Sequence, residues 1–379
     1  MLRGVQYLVI DEKSMLGLRT LGWIDHRLRQ VFPRRNAEFF GGMSLILVGD
    51  FFQLPPVMQK PLYYNQNLKD VMELSGRNAY NQFSRSVFLK KVQRQQGDDQ
   101  AAFRRALEEV RLLRLSRKSW ELLCTRLQSK MTSQEVDSFH SALRIYSTKE
   151  QVNDYNYDHL VSVRKPAIQV VAINHGTRAQ ETPPDQAGNL LNKIPICVGA
   201  RVMLTRNLWQ PHGLVNGAQG HVFDLGWAPG ADWHTDPPCV IMVVFDRYSG
   251  PAFMTTDDGR PVVPILPVKT EFVRGVETCS RTQFPLIISY AITVHKSQSI
   301  TVDKVVTDLS ERDFQPGLSY VALSRVKTIE GLMLDAPFDR CHLYRDQMPE
   351  GMQMKLHDQE RRQKQVLDET LYGPPGSYS

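Results

Sequence analysis

The hydrophobic positions of the chain fall into distinct rhythms. Near the start, "YLVI" (Tyr7 to Ile10) and "SLILV" (Ser44 to Val48) are short aliphatic runs, each ending at a carboxylate, Asp11 and Asp50. Continuous apolar runs of this length suit strands buried on both faces of a parallel sheet, with helices between them. In open α/β sheets ligands lie beyond the carboxyl ends of the strands, which directs Asp11, Glu12, Asp50 and Gln53 toward one crevice. "FRRALEEVRLLRL" instead spaces Phe103, Leu107, Val110 and Leu113 at the helical period and predicts a solvated amphipathic helix. From Arg144, "RIYSTKEQVNDYN" and "AIQVVAINH" open a second α/β unit. Between about Cys197 and Pro285, "ARVMLTRNL", "GAQGHVFDL", "CVIMVVF" and "RPVVPILPV" are β-rich runs without helical spacers, which predicts a small inserted barrel or sandwich. Within it, Asn216 and Gly217 of "GLVNGAQG" predict a hairpin turn with positive φ at both residues. The α/β texture returns with "PLIISYAITVHKSQ" and "VDKVVTDLS", and the polar stretch from Gly351 predicts a surface helix and a frayed terminus.

Composition narrows the classes. A chain of 379 residues that is 42% hydrophobic can bury the cores of two or three domains. Its longest nearly apolar stretch, "FPLIISYAI", falls short of the roughly 20 residues that span a bilayer, so no membrane partner is expected. "MLRGVQYLVI" lacks a secretory h-region and reads as interior sequence. Cys124, Cys197, Cys239, Cys279 and Cys341 are widely spaced with no C-x-x-C, which argues against a disulfide framework or a zinc site and fits a reducing compartment. His212, His221 and His234 share a loop-rich region but no ligand spacing. A net charge of +6 and a pI near 9.0 are compatible with a polyanionic partner.

A strand ending in Asp-Glu is a common metal- and water-holding arrangement in nucleotide hydrolases, and Gln53 in "LVGDFFQLPPV" offers a donor and an acceptor to an attacking water or a γ-phosphate. With the stretches that follow, the sequence resembles the Pif family of superfamily-one DNA helicases, related to the RecD type. "VIDEKSM" resembles its motif II, "VGDFFQLPPV" its motif III, "VQRQQGDDQAAFRRAL" its motif IV, "AITVHKSQSITVDKVV" its motif V and "YVALSRV" its motif VI. "VGARVMLTRNL" with "GLVNGAQGHV" resembles the start of its SH3-like inserted domain. The order holds from residue 5 to about 334.

The resemblance implies an α/β fold of two RecA-like parallel-sheet domains, the first one truncated, with an inserted SH3-like small β-barrel. The expected limits are 1–85 for the first domain (motifs II and III), 86–196 with 286–350 for the second, 197–285 for the barrel and 351–379 for a polar tail. It implies an ATP-dependent DNA helicase moving five-prime to three-prime, with ATP and Mg²⁺ as cofactors. Asp11 would hold Mg²⁺, Glu12 would act as general base, Gln53 would sense the γ-phosphate, and Arg94 and Arg325 would be arginine fingers. Such a finger is worth roughly 10³ to 10⁵ in rate. Thr293, His295, Lys296, Ser297 and Gln298 would contact single-stranded DNA through its phosphates, without reading sequence. Single-stranded and forked or structured DNA are the implied partners, a monomer the implied state, genome maintenance, repair, recombination or telomere maintenance the implied roles, and the nucleus, with the mitochondrion, the implied location.

The chain departs from the family pattern at Lys13, usually uncharged, at Ser299, usually glycine, and at Gln93-Arg94-Gln95, usually Phe-Arg-Gln. It contains no G-x-x-x-x-G-K-[ST]: Lys13-Ser14, Lys118-Ser119 and Lys296-Ser297 all lack the preceding glycines. The first domain is therefore expected to lack the opening strand and phosphate-binding loop, and the chain alone to hydrolyse ATP very weakly or not at all. A non-catalytic nucleic-acid-binding remnant, a part of a rolling-circle transposon helicase and an RNA helicase of the same superfamily remain open at this point.

Overall fold

In the computed structural model, which describes residues 4–365, the described residues form two compact units: 4–132 with 308–365, and 133–307. The expected limits at 85/86, 196/197 and 285/286 lie inside these units.

In the first unit, strand β1 (Tyr7–Ile10) pairs in parallel with β2 (Ser44–Leu47), Tyr7 opposite Ser44 and Ile10 opposite Leu47. The connection is helix α1 (Leu18–Val31), whose Leu18, Leu21, Gly22, Asp25 and Leu28 recur at helical spacing and are buried. α1 lies against helix α2 (Val71–Asn81), which starts where the Asp70 carboxylate accepts from the backbone N–H of Met72 and Glu73. The two helices meet backbone to backbone at a pair of glycines. A Cβ on Gly22 would stand 2.3 Å from the Met72 carbonyl oxygen, and one on Gly76 1.8 Å from that of Leu18. Only one face of the small sheet is covered: Leu8, Leu45 and Leu47 pack on the α1–α2 core, whereas Tyr7, Val9, Ile46 and Val48 are exposed. The aliphatic runs predicted strands buried on both faces; among the described residues, helices cover one.

Helix α3 (Ala101–Arg111) follows its periodicity, burying Phe103, Ala106, Leu107 and Val110. Leu113 falls beyond it, with φ of 52°. The helix Glu350–Gln363 is not the surface helix that its polar composition predicts, because it buries Met352, Met354, Lys355, Asp358 and Arg362. Two of these polar residues are bonded inward: the Tyr80 hydroxyl donates to Asp358 at 2.8 Å, and Arg362 donates to the Tyr80 carbonyl at 3.2 Å. A buried face built from long polar side chains reads as surface in any hydropathy pattern. The expected frayed end beyond residue 365 lies outside the described residues.

In the second unit, strand Leu143–Tyr146 is flanked in parallel by Ala291–Thr293 and Val305–Thr307. Helix Lys149–Ser162 follows, opened by a capping box between Thr148 and Gln151. A six-stranded antiparallel sheet contains Arg201–Leu204, Gln219–Gly226, Val240–Phe245 and Pro261–Ile265, the β-rich runs of the sequence. Of Asn216 and Gly217 only Gly217 has positive φ, 88°, so the turn is not the two-residue type expected from that dipeptide. Arg281, fully buried, is satisfied by neutral acceptors: it donates to Asn174 Oδ1 and to the carbonyls of Leu190, Ala179 and Thr182, tying the 176–192 segment to its strand.

Candidate active site

The site begins where β1 ends. Lys13 N–H donates to the Val48 carbonyl and Val48 N–H to that of Ile10, both at 2.8 Å, so the parallel ladder runs on past the two strands. This fixes the chain between Asp11, exposed, and Glu12, half-buried. Glu12 adopts left-handed backbone (φ 53°, ψ 46°), and its N–H donates to Asp11 Oδ1 at 2.7 Å. A non-glycine residue there costs about 1–2 kcal/mol. The turn passes close to Gly49, where a Cβ would stand 2.9 Å from Lys13 N.

The loop after β2 is clamped by Asp50. Its carboxylate accepts from Phe52 N–H at 3.1 Å and, in a two-point pair, from Arg111 Nε and Nη2 at 3.1 and 3.0 Å. The Arg111 guanidinium also lies 3.8 Å from the Phe52 ring centroid. Gln53 N–H donates to the Asp50 carbonyl, which places Gln53 at the end of this clamped turn. Gly317 closes on it from the start of helix Leu318–Leu323. A Cβ on Gly317 would stand 2.8 Å from the Phe52 carbonyl oxygen and 3.0 Å from that of Gln53. Lys355 reaches the same loop from helix Glu350–Gln363. It is 3% exposed, its ammonium has no hydrogen-bond partner among the described residues, and it sits 5.8 Å from the Phe52 and Tyr63 rings. Burial pushes it down to about 8, opposed by the pull of Asp50.

The two arginines share one residue. Arg94 Nη1 donates to the Ser324 carbonyl at 2.9 Å, and Arg325 Nη2 donates to the Ser324 hydroxyl at 2.8 Å. Gln95 buttresses the pair by donating to the Ser324 and Val326 carbonyls. Burial, then repulsion from Arg94, lowers the Arg325 guanidinium to about 10, while Tyr320 and Glu12 oppose the shift. Burial lowers Arg94 as well, with Tyr320 and Glu12 again opposing. Glu12, Arg94 and Arg325 therefore share one electrostatic environment within the first unit. Asp11 stands beside Glu12, and Gln53 lies on the adjoining loop. Sequence reasoning missed Arg111 and Lys355, and nothing in their local sequence separates them from solvated charges.

Residues 1–118 match the family model described as PIF1-like helicase, and residues 193–225 match the DNA helicase Pif1 2B domain. The chain belongs to the PIF1-like helicase family. It is 30% identical to the ATP-dependent DNA helicase PIF1 of Danio rerio over 336 residues, covering 86% of this chain and 46% of that protein. The crystal structure of Pif1 helicase from Candida albicans matches with a TM-score of 0.70 and 25% identity, over 93% of this chain and 77% of that one. Pif1 helicase from Bacteroides, crystallised with ADP-AlF3 and ssDNA, matches with a TM-score of 0.64 and 26% identity, over 96% and 77%. The chain spans about half the length of the curated relatives it matches first.

Residues named in the family's motif V lie in the second unit. Thr293 ends a strand, and its hydroxyl accepts from Lys296 N–H at 3.4 Å, capping the turn Val294–Ser297. His295 is half-buried and Lys296 exposed, whereas Ser297 and Gln298 are buried, the Ser297 hydroxyl donating to the Val294 carbonyl at 2.8 Å. Ser299 follows in left-handed backbone, φ 68°, the geometry a glycine accommodates without strain. It opens a cleft of about 720 Å³ lined also by Arg201, Gln219, Phe245, Asp246 and Lys304. Among the described residues no helix is long and apolar enough to cross a membrane, and no group of three or more His, Cys, Asp or Glu could hold a metal ion.

Proposed function

We propose that this chain carries the hydrolytic and strand-gripping residues of an ATP-dependent DNA helicase that moves five-prime to three-prime along single-stranded DNA. The observation that carries the reading is the Arg94–Arg325 pair. Two guanidiniums held side by side and desolvated repel each other, a cost that a polyanion placed between them and Glu12 would offset. A triphosphate has that charge, and its transition state spreads negative charge where such donors are strongest.

In this reading Glu12 takes the proton of the attacking water, Gln53 orients that water against the γ-phosphate, and the two arginines stabilise the phosphoryl oxygens. Asp11 fits Mg²⁺, which is usually held by one or two carboxylates and the substrate phosphates, and which would neutralise charge on those phosphates when bound. Thr293, His295 and Lys296 present the outward groups of the DNA contact, while Ser297 and Gln298 shape its turn. The antiparallel sheet serves as an SH3-like barrel inserted in the second of two RecA-like domains, and the nucleus or mitochondrion is the working compartment.

The 379 residues contain no G-x-x-x-x-G-K-[ST], so the chain alone is expected to bind ATP weakly and turn it over little. A second reading is a nucleic-acid-binding protein without catalysis. The two separate in a fusion to a strand–loop–helix segment bearing that loop, assayed for DNA-stimulated ATP hydrolysis. The helicase reading expects turnover that falls by roughly 10³ or more in Arg325→Ala. Turnover that changes less than twofold in both Arg94→Ala and Arg325→Ala refutes the finger roles, and none at all in the fusion favours the second reading.

A further inference from the structure

The outward face of α1 carries a stripe that the nucleotide site does not use. Arg19, Trp23 and Arg27 recur at i, i+4 and i+8, so they share one face of the helix over about 12 Å. All three are exposed, Trp23 to 42%. The stripe is ordered from within: the Arg27 guanidinium lies 5.6 Å from the Trp23 ring, and the His26 ring meets Trp23 edge-on at 5.7 Å. Gln30 accepts from Arg27 at 2.9 Å and contacts His26 Nε2 at 3.2 Å, so these side chains hold one another with no carboxylate among them. The acids nearby are engaged elsewhere. Asp25 is buried on the opposite face, accepting from Arg29 and from Phe40 N–H, and Glu38 is paired with Arg35. Residues 18–36 hold five arginines against one aspartate, a net +4 within a chain whose total is +6.

We infer that this face of α1 is an accessory single-stranded DNA surface, separate from the Thr293–Gln298 turn. A tryptophan flanked by arginines is the combination that single strands select: bases stack on the ring without regard to sequence, and the cations meet the phosphates on either side. An acidic peptide would use the arginines and leave the indole face without a stacking partner. Arg19, Arg27 and Arg34 are available to an incoming phosphate, since none of them is in an ion pair among the described residues.

The test uses the full chain, a (dT)20 oligonucleotide and a 20-residue polyglutamate. Trp23 is one of five tryptophans, so its signal is the difference between wild type and Trp23→Phe. The inference expects (dT)20 to quench that signal and Trp23→Ala to weaken binding at least about fivefold, the lower end for an aromatic–base stack. Arg19→Ala/Arg27→Ala is expected to flatten the dependence of log affinity on log salt by about 1.4, at roughly 0.7 for each single-strand phosphate that is no longer neutralised. Unchanged ellipticity in these surface variants checks the fold. The same quenching in Lys296→Ala supports the inference, even if Lys296→Ala proves to bind (dT)20 normally and so counts against the motif V contact. No Trp23 quenching, its loss in Lys296→Ala, or equal quenching by polyglutamate each overturns it.

Discussion

Replacing Lys355 by methionine should stabilise the protein at neutral pH. The ammonium is 3% exposed, has no hydrogen-bond partner among the described residues, and is pushed from the usual 10.5 down to about 8 by burial. The native state therefore bears the cost of a charge it would rather shed, about 3 kcal/mol at 1.36 kcal/mol per unit of pKa. The Phe52 and Tyr63 rings, each 5.8 Å away, return roughly 0.5–1 kcal/mol apiece as cation–π attraction, which leaves a net gain of about 2 kcal/mol for Lys355→Met. The pH dependence has a definite sign. Below about pH 8 both folded and unfolded states hold the proton and the full cost is present. Between about 8 and 10.5 the folded state releases it first, so wild-type stability rises with pH and the variant's advantage shrinks. Asp50 pulls the opposite way and Arg111 the same way as burial, so the titration of Lys355 reflects all three. Urea denaturation of both proteins, followed by circular dichroism at pH 7 and pH 10, measures the difference. A variant no more stable than wild type at pH 7, or an advantage equal at both values, would refute the reasoning.

Other substitutions probe the frame around the site. Ser299→Gly should gain about 1 kcal/mol by relieving left-handed strain, read as a raised urea midpoint, and an unchanged or lower midpoint would show that the serine is not strained. Gly76→Ala should cost about 3 kcal/mol or more, because its new methyl would meet the Leu18 carbonyl at 1.8 Å; retention of wild-type melting would mean that α1 and α2 separate freely. Arg281→Met should destabilise the second unit by several kcal/mol, at about 1–3 kcal/mol for each of the Leu190 and Thr182 carbonyls left without a donor, seen as faster hydrogen exchange in 176–192. Equal exchange there would count against the tie.

How far the sequence discloses this arrangement depends on the kind of signal each residue leaves. Glu12, Arg94 and Arg325 sit in literal motif strings, and the structure brings them together although 313 positions separate the first from the last. α3 is legible because burial of Phe103, Leu107 and Val110 imposes a period. Arg111 and Lys355 are not, since a charge that turns inward looks in sequence like one facing water. Asn216–Gly217 misleads for a related reason: the dipeptide permits positive φ at both residues, and the fold uses it at one. The β1–β2 pair shows a limit of composition, because an aliphatic run has the same letters whether one of its faces is covered or both.

Glu12 sets two selections against each other. Its backbone occupies a conformation in which glycine would be more relaxed by about 1 kcal/mol, yet glycine would remove the carboxylate proposed to activate water. A laboratory screen that ranks variants by heat resistance alone would favour discarding this residue, and one that ranks them by ATP turnover would retain it. Any thermostable library built on this scaffold should therefore hold position 12 fixed.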